Sequence, residues 1–135
     1  MILGQSPATD VRLAPGEYLP REAAVVGTET CEYLADYNVD ACFIGAAGLS
    51  AVGVTEAIAG FGAVKRAMMR QSRARYFLID ASKFGQTHMT RVASLDEIGS
   101  LVSDRHPMAP LSGVLRERGV RMLSPDIQKS APARV

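Results

Sequence analysis

The sequence has few cysteines and no long apolar run. Its 135 residues include only Cys31 and Cys42, which excludes a disulfide-rich secreted scaffold. No apolar stretch approaches the roughly 18 residues of a membrane span, and the first residues lack the basic stretch and apolar segment of a signal peptide. These absences predict a protein of the reducing cytoplasm in which both thiols are free.

Sequence signatures of several enzyme classes are also absent. There is no P-loop, no dinucleotide-binding glycine fingerprint and no serine in a nucleophile-elbow pattern. His88 and His106 have no cysteine near them in the sequence, so the ligand spacing of a zinc site is missing. We therefore predict no catalytic residue, no metal site and no cofactor.

The charges nearly balance, but they are unevenly distributed. The chain has 15 basic and 14 acidic residues, and 47% of its residues are hydrophobic, as expected for a folded domain with a core. Residues 1–60 are net acidic and residues 61–135 net basic, with five basic residues between Lys65 and Arg75. Such a cluster could bind nucleic acid or an anionic ligand. For most of its arginines we favour a solvated helix face.

Short apolar runs alternate with helical patterns along the chain. Strands are predicted at residues 11–13, 23–26, 41–44, 76–79, 89–93, 101–102 and 120–123, and helices at residues 28–38, 55–72 and 107–118. Residues 46–53 read as a loop of small residues, and Thr55 as the N-cap of the second helix. The continuous apolar run at 41–44 is typical of a strand that is buried on both faces.

This alternation predicts an α/β fold with a mainly parallel, open sheet flanked by helices. Residues 1–125 form the domain, and residues 126–135 a polar C-terminal tail.

Two loops follow buried strands and suggest a binding site. Ligands of open parallel sheets bind beyond the carboxyl ends of the strands. After the strand at 41–44, the small residues of loop 45–48 would let a ligand approach backbone amides. After the strand at 76–79, Asp80, Ser82 and Lys83 bring a carboxylate, a hydroxyl and an ammonium. A capped turn with a surface ion pair explains the second loop equally well.

Lys65 is conspicuous on a helical wheel. With Phe61 at zero, Lys65 lies near 40° and inside an apolar arc from about 300° to about 80°. A lysine there must snorkel to water, pair with a carboxylate or face a pocket. We expect it to pair with Asp80 and to face the same pocket as Lys83, where two cations suit an anionic, hydroxylated small molecule.

Five segments together resemble the C-terminal sensor domain of the DeoR family of transcriptional repressors. They are DACFIGAAGL at 40–49, GVT at 53–55, AVKRAMM at 63–69, DASKFG at 80–85 and LVSD at 101–104. The resemblance covers roughly residues 11–125. It implies a fold similar to ribose-5-phosphate isomerase and the coenzyme A transferases, a phosphorylated sugar or related metabolite as effector, and a homo-oligomer.

The resemblance also implies that this chain is a truncated sensor domain. Family members bind DNA through an N-terminal winged helix-turn-helix and grip phosphate with an earlier glycine- and threonine-rich loop, and neither is present here. The ligand-binding residues expected from pattern and resemblance are Gly45, Ala46, Ala47, Gly48, Lys65, Asp80 and Lys83. Many members carry Asp, Ser or Thr where this sequence has Ala47, which leaves only backbone contact there.

Two other functions remain open at this point. A sugar-phosphate isomerase on the same fold would need an acidic pair in and after loop 45–48, but Ala46 and Ala47 supply no carboxylate for proton transfer. An oligomerisation module without a working pocket is the other alternative.

Overall fold

A four-stranded parallel sheet forms the centre of the structure. The computed structural model describes residues 3–125. The sheet contains β3 (Val39–Ile44), β6 (Ser72–Leu78), β8 (Ser100–Val102) and β9 (Arg121–Leu123), in that spatial order. All three strand pairings are parallel. The predicted strands at 41–44, 76–79, 101–102 and 120–123 are thereby confirmed, with small shifts at their ends.

Five further strands form two antiparallel sheets. β1 (Glu17–Leu19) and β2 (Ala24–Val26) make a hairpin, and β4 (Gly48–Ser50), β5 (Gly53–Glu56) and β7 (Thr90–Ala93) make a three-stranded sheet. The fold is therefore α/β, but only the central sheet is parallel. The predicted continuous loop at 46–53 is wrong, because half of its residues belong to β4 and β5.

Within residues 3–125, three α-helices connect these strands. They are α1 (Thr28–Ala35), α2 (Phe61–Gln71) and α3 (Leu111–Glu117), and each is shorter than predicted. Thr55 does not cap α2: it is buried in β5, and its hydroxyl accepts a hydrogen bond from the His88 amide at 2.9 Å. Gly119 follows α3 with a φ of +74°, the left-handed conformation that glycine favours after a helix. Residues 11–13 form no strand.

The hydrophobic core lies on one face of the central sheet. From the sheet it takes Cys42, Ile44, Phe77 and Leu101, all of which are buried. Helices and the three-stranded sheet cover this face with Leu49, Val54, Met69, Val92 and Leu115. Cys31 and Cys42 are both free thiols. In the part of the chain that the structure describes, no helix is long and apolar enough to span a membrane.

The opposite face of the sheet is bare at β3 and β6. Phe43 is 62% exposed, Leu78 48% and Val39 41%, and the Phe43 ring stacks on Tyr76 with centroids 5.2 Å apart. The prediction that residues 41–44 are buried on both faces is therefore wrong. A sequence run reports how apolar a strand is, whereas its burial also depends on what packs against it. We call Val39, Phe43, Tyr76 and Leu78 the bare face.

The turn between β4 and β5 depends on Gly53. Its φ is +116°, and a Cβ there would collide with the carbonyl oxygen of Ala93 on β7. Only glycine combines this backbone conformation with so close an approach of two strands. The three-stranded sheet that holds β5 in place thus depends on this position.

We predict that Gly53→Ala lowers the free energy of unfolding by about 2–4 kcal/mol, because the methyl group adds both strain and a clash. Gly113→Ala in α3 is the matched control, since a Cβ there has no neighbour within 4 Å. It should be neutral or stabilise by up to about 1 kcal/mol. Urea unfolding measures both, and equal stability of the two variants would contradict the role of Gly53.

Candidate functional site

The ends of β3, β6 and β8 meet at the carboxyl edge of the central sheet, which we define by Gly45, Asp80 and Asp104. Gly45 follows β3, and the other two residues come shortly after β6 and β8. Hydrogen bonds join the neighbouring connections: Ile79 donates its amide to the Val102 carbonyl at 3.0 Å, and the Ala81 amide donates to Asp104 Oδ1 at 2.8 Å. The two predicted loops, 45–48 and 80–85, follow β3 and β6, which are parallel neighbours, so both begin at this edge.

Lys65 reaches this edge from the second turn of α2. Its Nζ donates a hydrogen bond to the Gly45 carbonyl at 2.7 Å and forms an ion pair with Glu56. The side chain of Lys65 is 16% exposed and that of Glu56 only 4%. The wheel correctly predicts that Lys65 points inward, and of its three possible fates the structure shows pairing with a carboxylate.

The partner of Lys65 is Glu56, so the expected pair with Asp80 is wrong. Glu56 is the last residue of β5 and enters the interior because that strand is buried along its whole length. Reading Thr55 as a helix N-cap hides Glu56, since it places the carboxylate in the first turn of a helix. The β-branched residues Val54 and Thr55 after Gly53 are the sequence signal that could have indicated a strand there.

Asp80 is instead held by its own turn. It accepts a hydrogen bond from the Ser82 hydroxyl, which is the main reason that the pKa of Asp80 lies below its usual value, and Lys83 lowers this pKa further. The backbone amide of Ala81 is the main group that lowers the pKa of Asp104. Both carboxylates are therefore charged at neutral pH.

Lys83 is the cation of this edge that carries no paired charge. Within residues 3–125 it has no carboxylate within 4.0 Å, whereas Lys65 does. It ends the single 3₁₀ turn Ala81–Lys83. Lys83 thus forms no close ion pair, although the Asp80 carboxylate is near enough for the two charges to interact.

Loop 45–48 is more structural than predicted. The Ala47 amide donates to the Thr55 carbonyl at 3.1 Å, so that amide is not free for a ligand. Gly48 is buried, and a Cβ there would collide with the Gln86 carbonyl. Gly45 turns its carbonyl to Lys65. The Ala47 amide is therefore not free, contrary to the prediction, and Gly48 has a packing role. Ala46 is partly buried against the hydrophobic core.

A small cleft lies next to Lys65, between α2 and β2. It encloses about 210 Å³ and is lined by Ala24, Val25, Phe61, Val64, Lys65 and Met68. The Lys65 Nζ lies 5.3 Å from the centroid of the Phe61 ring, one helical turn away. Lys65 is thus shared between the carboxyl edge and an otherwise apolar cleft.

Three arginines of the basic cluster at 65–75 are exposed, as expected for a solvated face: Arg66, Arg70 and Arg73. Arg73 lies in β6 rather than on a helix, and Arg66 donates a hydrogen bond to the Arg91 carbonyl. Elsewhere in residues 3–125, no three histidine, cysteine or carboxylate side chains converge as metal ligands would.

The chain is an α/β domain with polar and charged residues at the carboxyl edge of its parallel sheet. Its residues 1–105 match the family described as the DeoR C-terminal sensor domain. The chain belongs to this family, and it is accordingly an effector-binding regulatory domain.

Two curated relatives agree with this assignment. The chain is 33% identical over 122 residues to the HTH-type transcriptional repressor GlcR of Bacillus subtilis. The aligned region covers 90% of this chain and 47% of the relative. It is 25% identical over 111 residues to the glycerol-3-phosphate regulon repressor of Escherichia coli, covering 82% of this chain and 44% of the relative. The chain thus spans about half the length of the curated relatives it matches.

We predict that Lys65→Met lowers the free energy of unfolding by about 3–5 kcal/mol, because it leaves the buried Glu56 carboxylate without its partner. Adding Glu56→Gln should restore most of this loss. Lys83→Met, a control at the same edge, should change stability by less than about 0.5 kcal/mol. Urea unfolding tests all three, and a Lys65→Met protein as stable as the wild type would show that the pair does not support the fold.

Proposed function

We propose that this chain is the effector-sensing part of a DeoR-type transcriptional repressor and that its effector is a phosphorylated sugar or a related metabolite. The observation that carries this proposal is that Gly45, which accepts a hydrogen bond from Lys65, and the turn with Asp80 and Lys83 follow neighbouring parallel strands in a domain that belongs to a sensor family. Such an edge offers cations for an anion and polar groups for hydroxyls.

Within this site we assign the anionic end of the ligand to Lys83. Its ammonium is free of any ion pair in the described residues, and the neighbouring Asp80 carboxylate can accept hydrogen bonds from ligand hydroxyls. Loop 45–48 borders the ligand, with Gly45 and Ala46 nearest the sheet edge and with Ala47 and Gly48 holding the loop in position.

The names of the relatives support the same chemical class. One is a repressor named for glycerol 3-phosphate, a small hydroxylated phosphate ester. The other is named as a helix-turn-helix repressor. By analogy, we propose that DNA binding in the whole protein belongs to a winged helix-turn-helix outside residues 1–125, that these residues are part of a sensor domain, and that its complete fold is similar to ribose-5-phosphate isomerase and the coenzyme A transferases.

An isomerase on the same fold is not favoured. The carboxylate that the structure brings to loop 45–48 is Glu56, and it is 96% buried and paired with Lys65. A general base must reach a proton of the substrate, and a buried, paired carboxylate does not. We therefore expect no interconversion of pentose or hexose phosphates.

We predict that the full chain binds at least one member of a panel of glycerol 3-phosphate, glucose 6-phosphate, fructose 6-phosphate and ribose 5-phosphate. Lys83→Met should weaken binding about tenfold, because it removes a charge-assisted contact with the phosphate. Arg116→Met, an exposed change on α3, is the matched control and should bind as the wild type does. Isothermal titration calorimetry measures the affinities.

Two results would argue against this assignment. If no member of the panel binds, the chain does not sense sugar phosphates by itself. If Lys83→Met and Arg116→Met weaken binding equally, the effect is one of net charge and not of a site.

The bare face supports a second part of the proposal, self-association. Parallel sheets are normally covered on both faces, and here β3 and β6 present apolar side chains to solvent. β3 is also one of the two edge strands of this sheet. An apolar face of this kind can cover the same face of a second copy across a two-fold axis. We propose that the chain forms at least a dimer in this way.

We predict that the wild-type chain is at least dimeric in light scattering and that Phe43→Lys shifts it toward monomer, because the ammonium would have to be buried in the interface. Val52→Lys is the control: Val52 is also exposed, at 47%, but lies in the turn between β4 and β5. A wild-type protein that stays monomeric at about millimolar concentration, where even weak pairs associate, would contradict this interface.

A further inference from the structure

The ammonium of Lys65 is already largely committed within the protein. It has three N–H donors, of which one goes to Glu56 and one to the Gly45 carbonyl. One donor is left for a ligand. Because Glu56 is only 4% exposed, breaking the ion pair to release Lys65 would leave a buried carboxylate unpaired, which is costly.

The net charge of the Glu56–Lys65 pair determines which ligand groups it attracts. Glu56 neutralises Lys65, so the pair as a whole attracts a phosphate far less than a free lysine would. A phosphate placed against Lys65 would also lie close to the Glu56 carboxylate, and like charges repel most strongly where water is excluded. A hydroxyl or carbonyl oxygen of a ligand has neither disadvantage.

The cleft beside Lys65 has the matching composition. Five of its six lining residues are apolar, and Lys65 is the one that carries a charge. Binding sites for uncharged organic groups have this character, with an apolar wall and a few polar groups that fix orientation. The Phe61 ring lies directly beside the ammonium, so a carbon chain on the ring would bring its oxygens to Lys65.

We propose that the Glu56–Lys65 pair binds an uncharged oxygen of the effector, a hydroxyl or a carbonyl, while the carbon chain of the effector lies on Phe61 in this cleft. This inference rests on the proposed sugar-phosphate effector and divides its recognition in two. Lys83 binds the phosphate, and the neutral Glu56–Lys65 pair binds an uncharged oxygen elsewhere on the effector. Glu56, which sequence reasoning missed, thereby becomes a determinant of specificity.

The test compares a sugar phosphate with phosphate alone. The first probe is the tightest-binding member of the panel above, and the second is inorganic phosphate. Each is titrated separately into the full chain, and the two affinities are compared. Four variants are compared. The double change Glu56→Gln with Lys65→Met removes both charges, and Glu56→Gln alone removes only the carboxylate. Phe61→Leu keeps an apolar wall, and Lys83→Met removes the other cation. Thermal melting of each variant confirms that it is folded.

The double variant should lose about tenfold in affinity for the sugar phosphate, the effect of one hydrogen bond to a charged group, and Phe61→Leu should lose less. Both should keep the wild-type affinity for inorganic phosphate and the wild-type salt dependence. Lys83→Met should weaken both probes and flatten the salt dependence. Glu56→Gln alone should raise the affinity for inorganic phosphate, because it frees the charge of Lys65.

Two outcomes overturn the inference while the proposed function survives. One is an equal loss of sugar phosphate and inorganic phosphate in the double variant, which would place the phosphate on Lys65. The other is unchanged binding of both, which would remove the pair from the site. Failure of the wild type to bind any member of the panel would instead overturn the proposed function, and this inference with it.

Discussion

The contact between Lys65, Glu56 and the Gly45 carbonyl joins three parts of the fold around the candidate site. Lys65 comes from α2, Glu56 from the three-stranded sheet and Gly45 from the end of the central sheet. Because two of the three groups are charged and nearly buried, they must stay together whenever the chain is folded. The position of α2 over the sheet edge, and with it the shape of the neighbouring cleft, depends on this contact.

Sequence reasoning was most successful where a pattern is local. The apolar runs at 76–79 and 101–102 form strands because their own residues favour a buried sheet, and the wheel places Lys65 inward because helical spacing alone decides which side chains share a face. β4 and β5 were missed because short strands of small residues have weak preferences of their own. Their pairing with β7, far along the chain, makes them strands.

The candidate site residues also differ in whether local sequence or distant packing determines their position. That Asp80 and Lys83 lie at the sheet edge follows from the strand before them. The partner of Lys65 does not follow, since it depends on how β5 packs beneath α2. Likewise, the apolar character of residues 41–44 is visible in the sequence, whereas the exposure of Phe43 depends on which elements pack against that side of the sheet.

The two sheets are also tied together directly at the site. The Gly85 amide donates to the Leu49 carbonyl at 2.7 Å, and Leu49 and Phe84 form a parallel bridge. The turn that carries Asp80 and Lys83 is therefore linked by its backbone to β4. β4 in turn pairs with β5, the strand that ends at Glu56. If a bound molecule moved that turn, these backbone contacts would move β4 with it. Binding at the edge would then change the position of the three-stranded antiparallel sheet without any side-chain rearrangement.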